Sequence, residues 1–82
     1  MRLHRAEFVN QENLKAVIDA KRIIAEFDNY PVYRKWLTYR KSETLPWYQV
    51  YENGFIMIET MNVDRAIEVY NSLHYKPEEM AG

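Results

Sequence analysis

Trp47-Tyr48-Gln49-Val50-Tyr51-Glu52, then Asn53-Gly54, then Phe55-Ile56-Met57-Ile58-Glu59 constrains this chain more than any other stretch of it. Asn-Gly supplies two residues that tolerate positive φ, as a type I′ turn requires, and aromatic and β-branched residues fill both arms. The segment predicts an antiparallel hairpin. A two-residue turn fixes the register, with Glu52 facing Phe55, Tyr51 facing Ile56, Val50 facing Met57 and Gln49 facing Ile58. Alternation then assigns the faces. One carries Trp47, Gln49, Tyr51, Ile56, Ile58 and Thr60; the other carries Tyr48, Val50, Glu52, Phe55, Met57 and Glu59. Both are apolar, whereas a two-layer domain covers only one. Unpaired carboxylates are costly to bury, so the face with Glu52 and Glu59 is expected to be open, exposing Tyr48, Val50, Phe55 and Met57. The alternative is that residues 32–41 or the carboxyl-terminal tail cover it.

Other segments supply the partners of this hairpin. From about Gln11 to Asp28, Leu14, Val17, Ile18, Ala20, Ile24 and Phe27 recur at helical spacing, with Lys15, Asp19, Arg22 and Glu26 on the opposite side. Asn10 or Asn13 suits the start of this helix, and Asn29-Tyr30-Pro31 its end. A second helix is predicted from about Val63 to Tyr75. Val63, Ala66, Ile67, Tyr70 and Leu73 form its buried face, Asn62 its N-cap and Lys76-Pro77 its stop, after which the tail frays. Arg2 to Val9 alternates roughly and reads as a strand. Val32 to Lys41 fits either state, and its Val, Tyr, Trp and Thr content favours a strand. The expectation is one α+β domain over residues 1–82: a small antiparallel sheet in β-α-β-β-β-α order with both helices packed on one face.

Chemistry is constrained by what is missing. There is no cysteine, which removes disulfides, thiolate metal sites and cysteine nucleophiles and suits an intracellular, cytoplasmic setting. No apolar run has signal-peptide or membrane-span length. His4 and His74 lack metal-ligand spacing, no glycine-rich phosphate loop occurs, and Ser42 and Ser72 have no histidine close by in sequence. The expectation is a non-enzyme without metal or cofactor. Net charge is −1, yet residues 1–41 hold nine Lys/Arg against five Asp/Glu while residues 42–82 hold two against seven. Interleaving the halves gives internal complementarity, and keeping them apart gives a bipolar surface.

Two functions follow. The first is a protein-interaction domain of inhibitor, antitoxin-like or phage-accessory type, which occupies a partner's surface or pairs with itself as a homodimer. Tyr48, Val50, Phe55, Met57, Trp36 and Tyr39 would be its anchors, because large aromatics carry most interface energy and methionine adapts to irregular surfaces. The second is an RNA- or single-stranded-DNA-binding module using Arg34, Lys35, Arg40 and Lys41 with Trp36 and Phe55, since cations hold the backbone while aromatics stack on bases. Asn53-Gly54-Phe55-Ile56-Met57-Ile58, Asp64-Arg65-Ala66-Ile67 and Asn71-Ser72-Leu73 resemble the third strand and second helix of RNA-recognition-motif domains over about a quarter of the chain. The resemblance implies that Phe55 stacks on a base. Met57 stands where a second aromatic should be and Asn53 where a basic residue is usual.

Overall fold

The computed structural model describes residues 2–15, 17, 22–42 and 45–74. Their order is α1 (Gln11–Lys15), β1 (Arg22–Asn29), β2 (Tyr33–Ser42), β3 (Leu45–Glu52), β4 (Phe55–Thr60) and α2 (Val63–Ser72). The strands form one antiparallel meander, β1-β2-β3-β4, in which each strand pairs with its neighbour in sequence. Helix α2 lies across β2, β3 and β4, and α1 touches α2. This is the expected small α+β fold, an antiparallel sheet with its helices on one face.

The hairpin forms where the sequence puts it. Asn53 and Gly54 take φ of 51° and 90°, the left-handed values of the expected turn. Residues 33–42 are a strand, as their composition favours. Asn62 caps α2, its side chain accepting from the Arg65 backbone N–H at 3.1 Å. That helix ends at Ser72 instead of running to Tyr75, and the tail beyond His74 lies outside the described residues.

The first third of the chain departs from expectation. Arg2 to Val9 is no strand. Only Leu3 bridges Ala25, in parallel, and Arg5 at φ 53° turns the backbone out of the extended region. Backbone bonds from Leu3 N to Ile24 O (2.8 Å), from Glu26 N to Leu3 O (2.9 Å) and from Ala6 N to Glu26 O (2.9 Å) still lay this segment along the outer edge of β1. The helix expected from Gln11 to Asp28 is described only as far as Lys15, and residues 22–29 are strand β1. Asn10 and Asn13 cap its start reciprocally, each side chain accepting from the other's backbone N–H. The misreading has a local cause: a bulge between Ile23 and Ala25 places Ile24 and Ala25, neighbours in sequence, both in the core. That breaks the two-residue alternation and imitates helical spacing with Phe27.

A second bulge corrects the hairpin register. Glu52 faces Phe55 and Tyr51 faces Ile56 as expected, but Val50 faces Ile58 and Gln49 faces Glu59, leaving Met57 with no opposite residue. The buried face is the one expected to be open. Tyr48 (7% exposed) and Val50 (0%) turn towards α2 and join Val9, Leu14, Ile24, Ala25, Leu37, Ala66 and Tyr70 in the core. Glu52 can share that face because it accepts a hydrogen bond from the Tyr33 hydroxyl at 2.6 Å.

Candidate functional site: the uncovered sheet face

Alternation along β2 sorts its side chains into two rows. Tyr33, Lys35, Leu37 and Tyr39 stand on the helix side; Arg34, Trp36, Thr38 and Arg40 stand on the other. The register carries the second row across the sheet, placing Trp36 opposite Tyr51, Thr38 opposite Gln49 and Arg40 opposite Trp47. Ile56 and Glu59 continue it on β4. No helix covers this face among the described residues.

The face is ordered by its own contacts. Trp36 and Tyr51 stack with ring centroids 5.4 Å apart and planes 19° from parallel. The Arg34 guanidinium lies over both the Tyr30 ring at 5.2 Å and the Trp36 ring at 5.4 Å. Its backbone is pinned to the hairpin tip, Arg34 N donating to Asn53 Oδ1 at 3.1 Å and Asn53 N donating to Arg34 O at 2.8 Å. Gln49 sits at the centre, where its Oε1 accepts from the Tyr51 hydroxyl at 3.1 Å and from Thr38 Oγ1 at 3.4 Å, while its Nε2 donates to Glu59. Side chains held in this way lose little freedom when a partner docks.

The residues expected to form an interaction patch scatter. Tyr48 and Val50 are core residues, buried because their row faces α2, and Tyr39 packs partly into the same core, its ring 5.3 Å from Tyr48. Trp36 belongs to the uncovered face. Phe55 (74% exposed) and Met57 (47%) lie on β4, the last strand of the sheet, beside Ile56 (50%). The expected nucleic-acid set divides as well: Arg34 and Arg40 stand on the uncovered face, Lys41 is exposed at the far end of β2, and Lys35 is withdrawn into the interior. Phe55, the stacking residue implied by the resemblance to RNA-recognition motifs, pairs with Glu52 at the hairpin tip, one position along from the Tyr51–Ile56 pair and so in the alternate row from the Trp36–Tyr51 stack.

Lys35 has a structural task. It is 2% exposed, and Nζ donates to Glu7 O at 2.6 Å, Tyr70 O at 2.8 Å and Leu73 O at 2.8 Å. An ammonium has three N–H groups, and all three are engaged. Two of the acceptors are carbonyls at the end of α2, where the helix dipole is negative, and Tyr70 O also accepts from the Leu73 backbone N–H at 3.3 Å. The Tyr70 ring lies 4.1 Å from the same nitrogen. Burial pushes the Lys35 ammonium down to about 8, against an opposing pull from Glu7 and Glu52. Burial raises the Tyr33 and Tyr70 hydroxyls well above the ordinary tyrosine value. A cavity of about 190 Å³ beside Lys35 is lined by Phe8, Phe27, Tyr33, Leu73 and His74, and the ammonium that borders it has no donor left for a ligand.

The sequence contained the signal for Lys35: it falls in the same alternating row as Tyr33, Leu37 and Tyr39. The contact of Arg34 with both Tyr30 and Trp36 had no such signal, because Tyr30 approaches from the β1–β2 turn. His4 is bound to Glu26, Nδ1 lying 2.9 Å from the carboxylate that Arg2 also contacts, and His74 is exposed. Among the described residues no group of three His, Asp or Glu could hold a metal ion. Likewise, no described helix is long and apolar enough to cross a membrane. No protein-family model matches the chain, and no curated protein or solved structure matches it.

Proposed function

We infer that this chain is a non-enzymatic, cytoplasmic protein-binding domain that acts by occupying a partner's surface with the uncovered face of its sheet. The observation that carries this reading is the Trp36–Tyr51 stack with the Arg34 guanidinium over both the Trp36 and the Tyr30 rings. Tryptophan, tyrosine and arginine are the residue types that dominate binding energy at protein interfaces, and here they are adjacent and already ordered. An apolar flank, Ile56, extends the patch on β4, and Thr38, Gln49 and Arg40 give it polar groups around the aromatic centre. An inhibitor or antitoxin acting by steric occupation needs no more chemistry than this.

Arg34 and Arg40 on either side of Trp36 favour a second reading, single-stranded nucleic acid stacked on the same aromatics. Two features weigh against it. Glu26, Asp28 and Glu59 occupy positions on the same face in the register, and Lys35 cannot reach a phosphate from the interior. Affinity capture with the tagged chain, with and without nuclease and at low and high salt, separates the two. Protein docking predicts that the same proteins are retained in all arms by the unmutated chain and lost by Trp36→Ala with Tyr51→Ala. Capture abolished by nuclease, or falling steeply with salt, establishes the nucleic-acid reading instead.

A further inference from the structure

The charges on the uncovered face are unequally matched. Its carboxylates are already engaged within the chain: Glu26 by Arg2 at 3.2 Å and His4 Nδ1 at 2.9 Å, Asp28 by Tyr30 N at 3.0 Å, and Glu59 by Gln49 Nε2. Its guanidinium groups are not. Neither Arg34 nor Arg40 forms an ion pair or a side-chain hydrogen bond with a described residue, and Asp28, directly opposite Arg34 on β1, turns to the Tyr30 backbone instead. Arg40 is exposed, whereas Arg34 is half-buried and held over the Tyr30 and Trp36 rings. An aromatic ring gives a guanidinium no acceptor oxygen, so these contacts fix the position of Arg34 while its N–H fork stays without one. Gly54 puts no side chain over Nη2, which lies 4.0 Å from where its Cβ would stand.

We propose that the partner segment bound by this face is an acidic peptide stretch, which sets a carboxylate on the Arg34 fork and an adjoining apolar side chain on the Trp36–Tyr51 stack. The proposal rests on the protein-docking reading and names the chemistry of the partner. A docked partner strips water from Arg34, and a guanidinium left without an acceptor is costly, so the partner must bring one. A carboxylate matches the fork in geometry and in charge. Arg40, six positions along the same strand and roughly 20 Å away, adds a rim charge that steers the same kind of segment. A second copy presenting this face brings only carboxylates that are already engaged. A nucleic-acid backbone carries a charge at every nucleotide and would run past Glu26, Asp28 and Glu59, while a peptide places its few charges where the arginines are. Such discrete carboxylates hold no condensed counterion layer, so their binding depends only shallowly on salt.

Selection of random peptides displayed on phage, with the full chain as bait, tests this. The expected peptides place Asp or Glu beside an apolar residue and are released by Trp36→Ala with Tyr51→Ala. Exchange of that Asp or Glu for its amide should weaken binding to the unmutated chain about tenfold or more. Arg34→Gln keeps the backbone bonds to Asn53. It should weaken the acidic form by a similar factor and leave the amide form unchanged, a coupling that a merely structural role of Arg34 does not produce. If that variant fails to fold, Arg34→Lys, which keeps the charge and loses the fork, takes its place. Peptides that need Trp36 and Tyr51 but lose nothing on amide exchange overturn the acidic partner and leave the docking face standing. If no peptide is recovered that Trp36→Ala with Tyr51→Ala releases, the docking reading itself falls. A single-stranded oligothymidylate that binds the unmutated chain more tightly than any selected peptide overturns the proposal in favour of phosphate.

Discussion

A lysine ammonium in a protein interior is costly unless every N–H finds an acceptor, and Lys35 meets that condition with three backbone carbonyls. Its position still has a consequence for stability against pH. The folded chain releases this proton near pH 8 and the unfolded chain near 10.5, so between these values unfolding takes up a proton and the Lys35 contribution to stability rises with pH. Tyr33 and Tyr70 act in the opposite sense. Their folded values are raised, so their contribution is complete below the ordinary value of 10.0 and is lost as pH climbs beyond it. The urea midpoint should therefore rise from pH 8 to about 10 and fall at higher pH, and Lys35→Met should abolish the rise. At pH 7 that substitution should cost about 2 kcal/mol or more, because the carbonyls of Glu7 and Leu73 lose the ammonium donor and Tyr70 O is left with the Leu73 N–H alone. Gly54 makes a different demand. At φ 90° it has a conformation that β-branched side chains resist, and Gly54→Val should destabilise by more than about 1 kcal/mol in the same assay.

Elements that follow one local rule were legible in the sequence. The β3–β4 hairpin follows from Asn53-Gly54 and its aromatic arms, and α2 from a cap followed by regularly spaced apolar residues. Asn62→Ala should cost about 1 kcal/mol in a thermal melt, because the Arg65 N–H loses its acceptor. What failed in the reading were the two bulges. Each inserts one residue into a strand, at Ile24 and at Met57, and so shifts every face assignment beyond it by one position. At Ile24 the shift made a strand resemble a helix. At Met57 it changed which residues of β4 stand opposite β3. The open face is misassigned for another reason: nothing in the sequence pairs Glu52, but the Tyr33 hydroxyl binds it from a strand whose register no local pattern reveals. Residues 2–9 were misread because Arg5 turns the chain with a side chain that rarely adopts positive φ.

At the scale of the molecule, the meander joins sequence neighbours and leaves the beginning and end of the described chain to be fastened by side chains. Asn71 does so by accepting from Val9 N at 2.7 Å and donating to Val9 O at 2.9 Å, and the Tyr70 hydroxyl donates to Ala6 O. The candidate site depends on this only indirectly, since Trp36 and Tyr51 lie on the opposite side of the sheet from α2. Lys35 completes the fastening: Glu7, Tyr70 and Leu73 hang from one nitrogen, which makes a single ring of contacts from residue 7 to residue 73. Fraying, normally a separate event at each end of a chain, here becomes one cooperative opening. The amides of Ala6 and Leu73, 67 positions apart in the chain, should exchange with a common opening free energy in the unmutated protein. In Lys35→Met they should part company, each end loosening at a rate of its own.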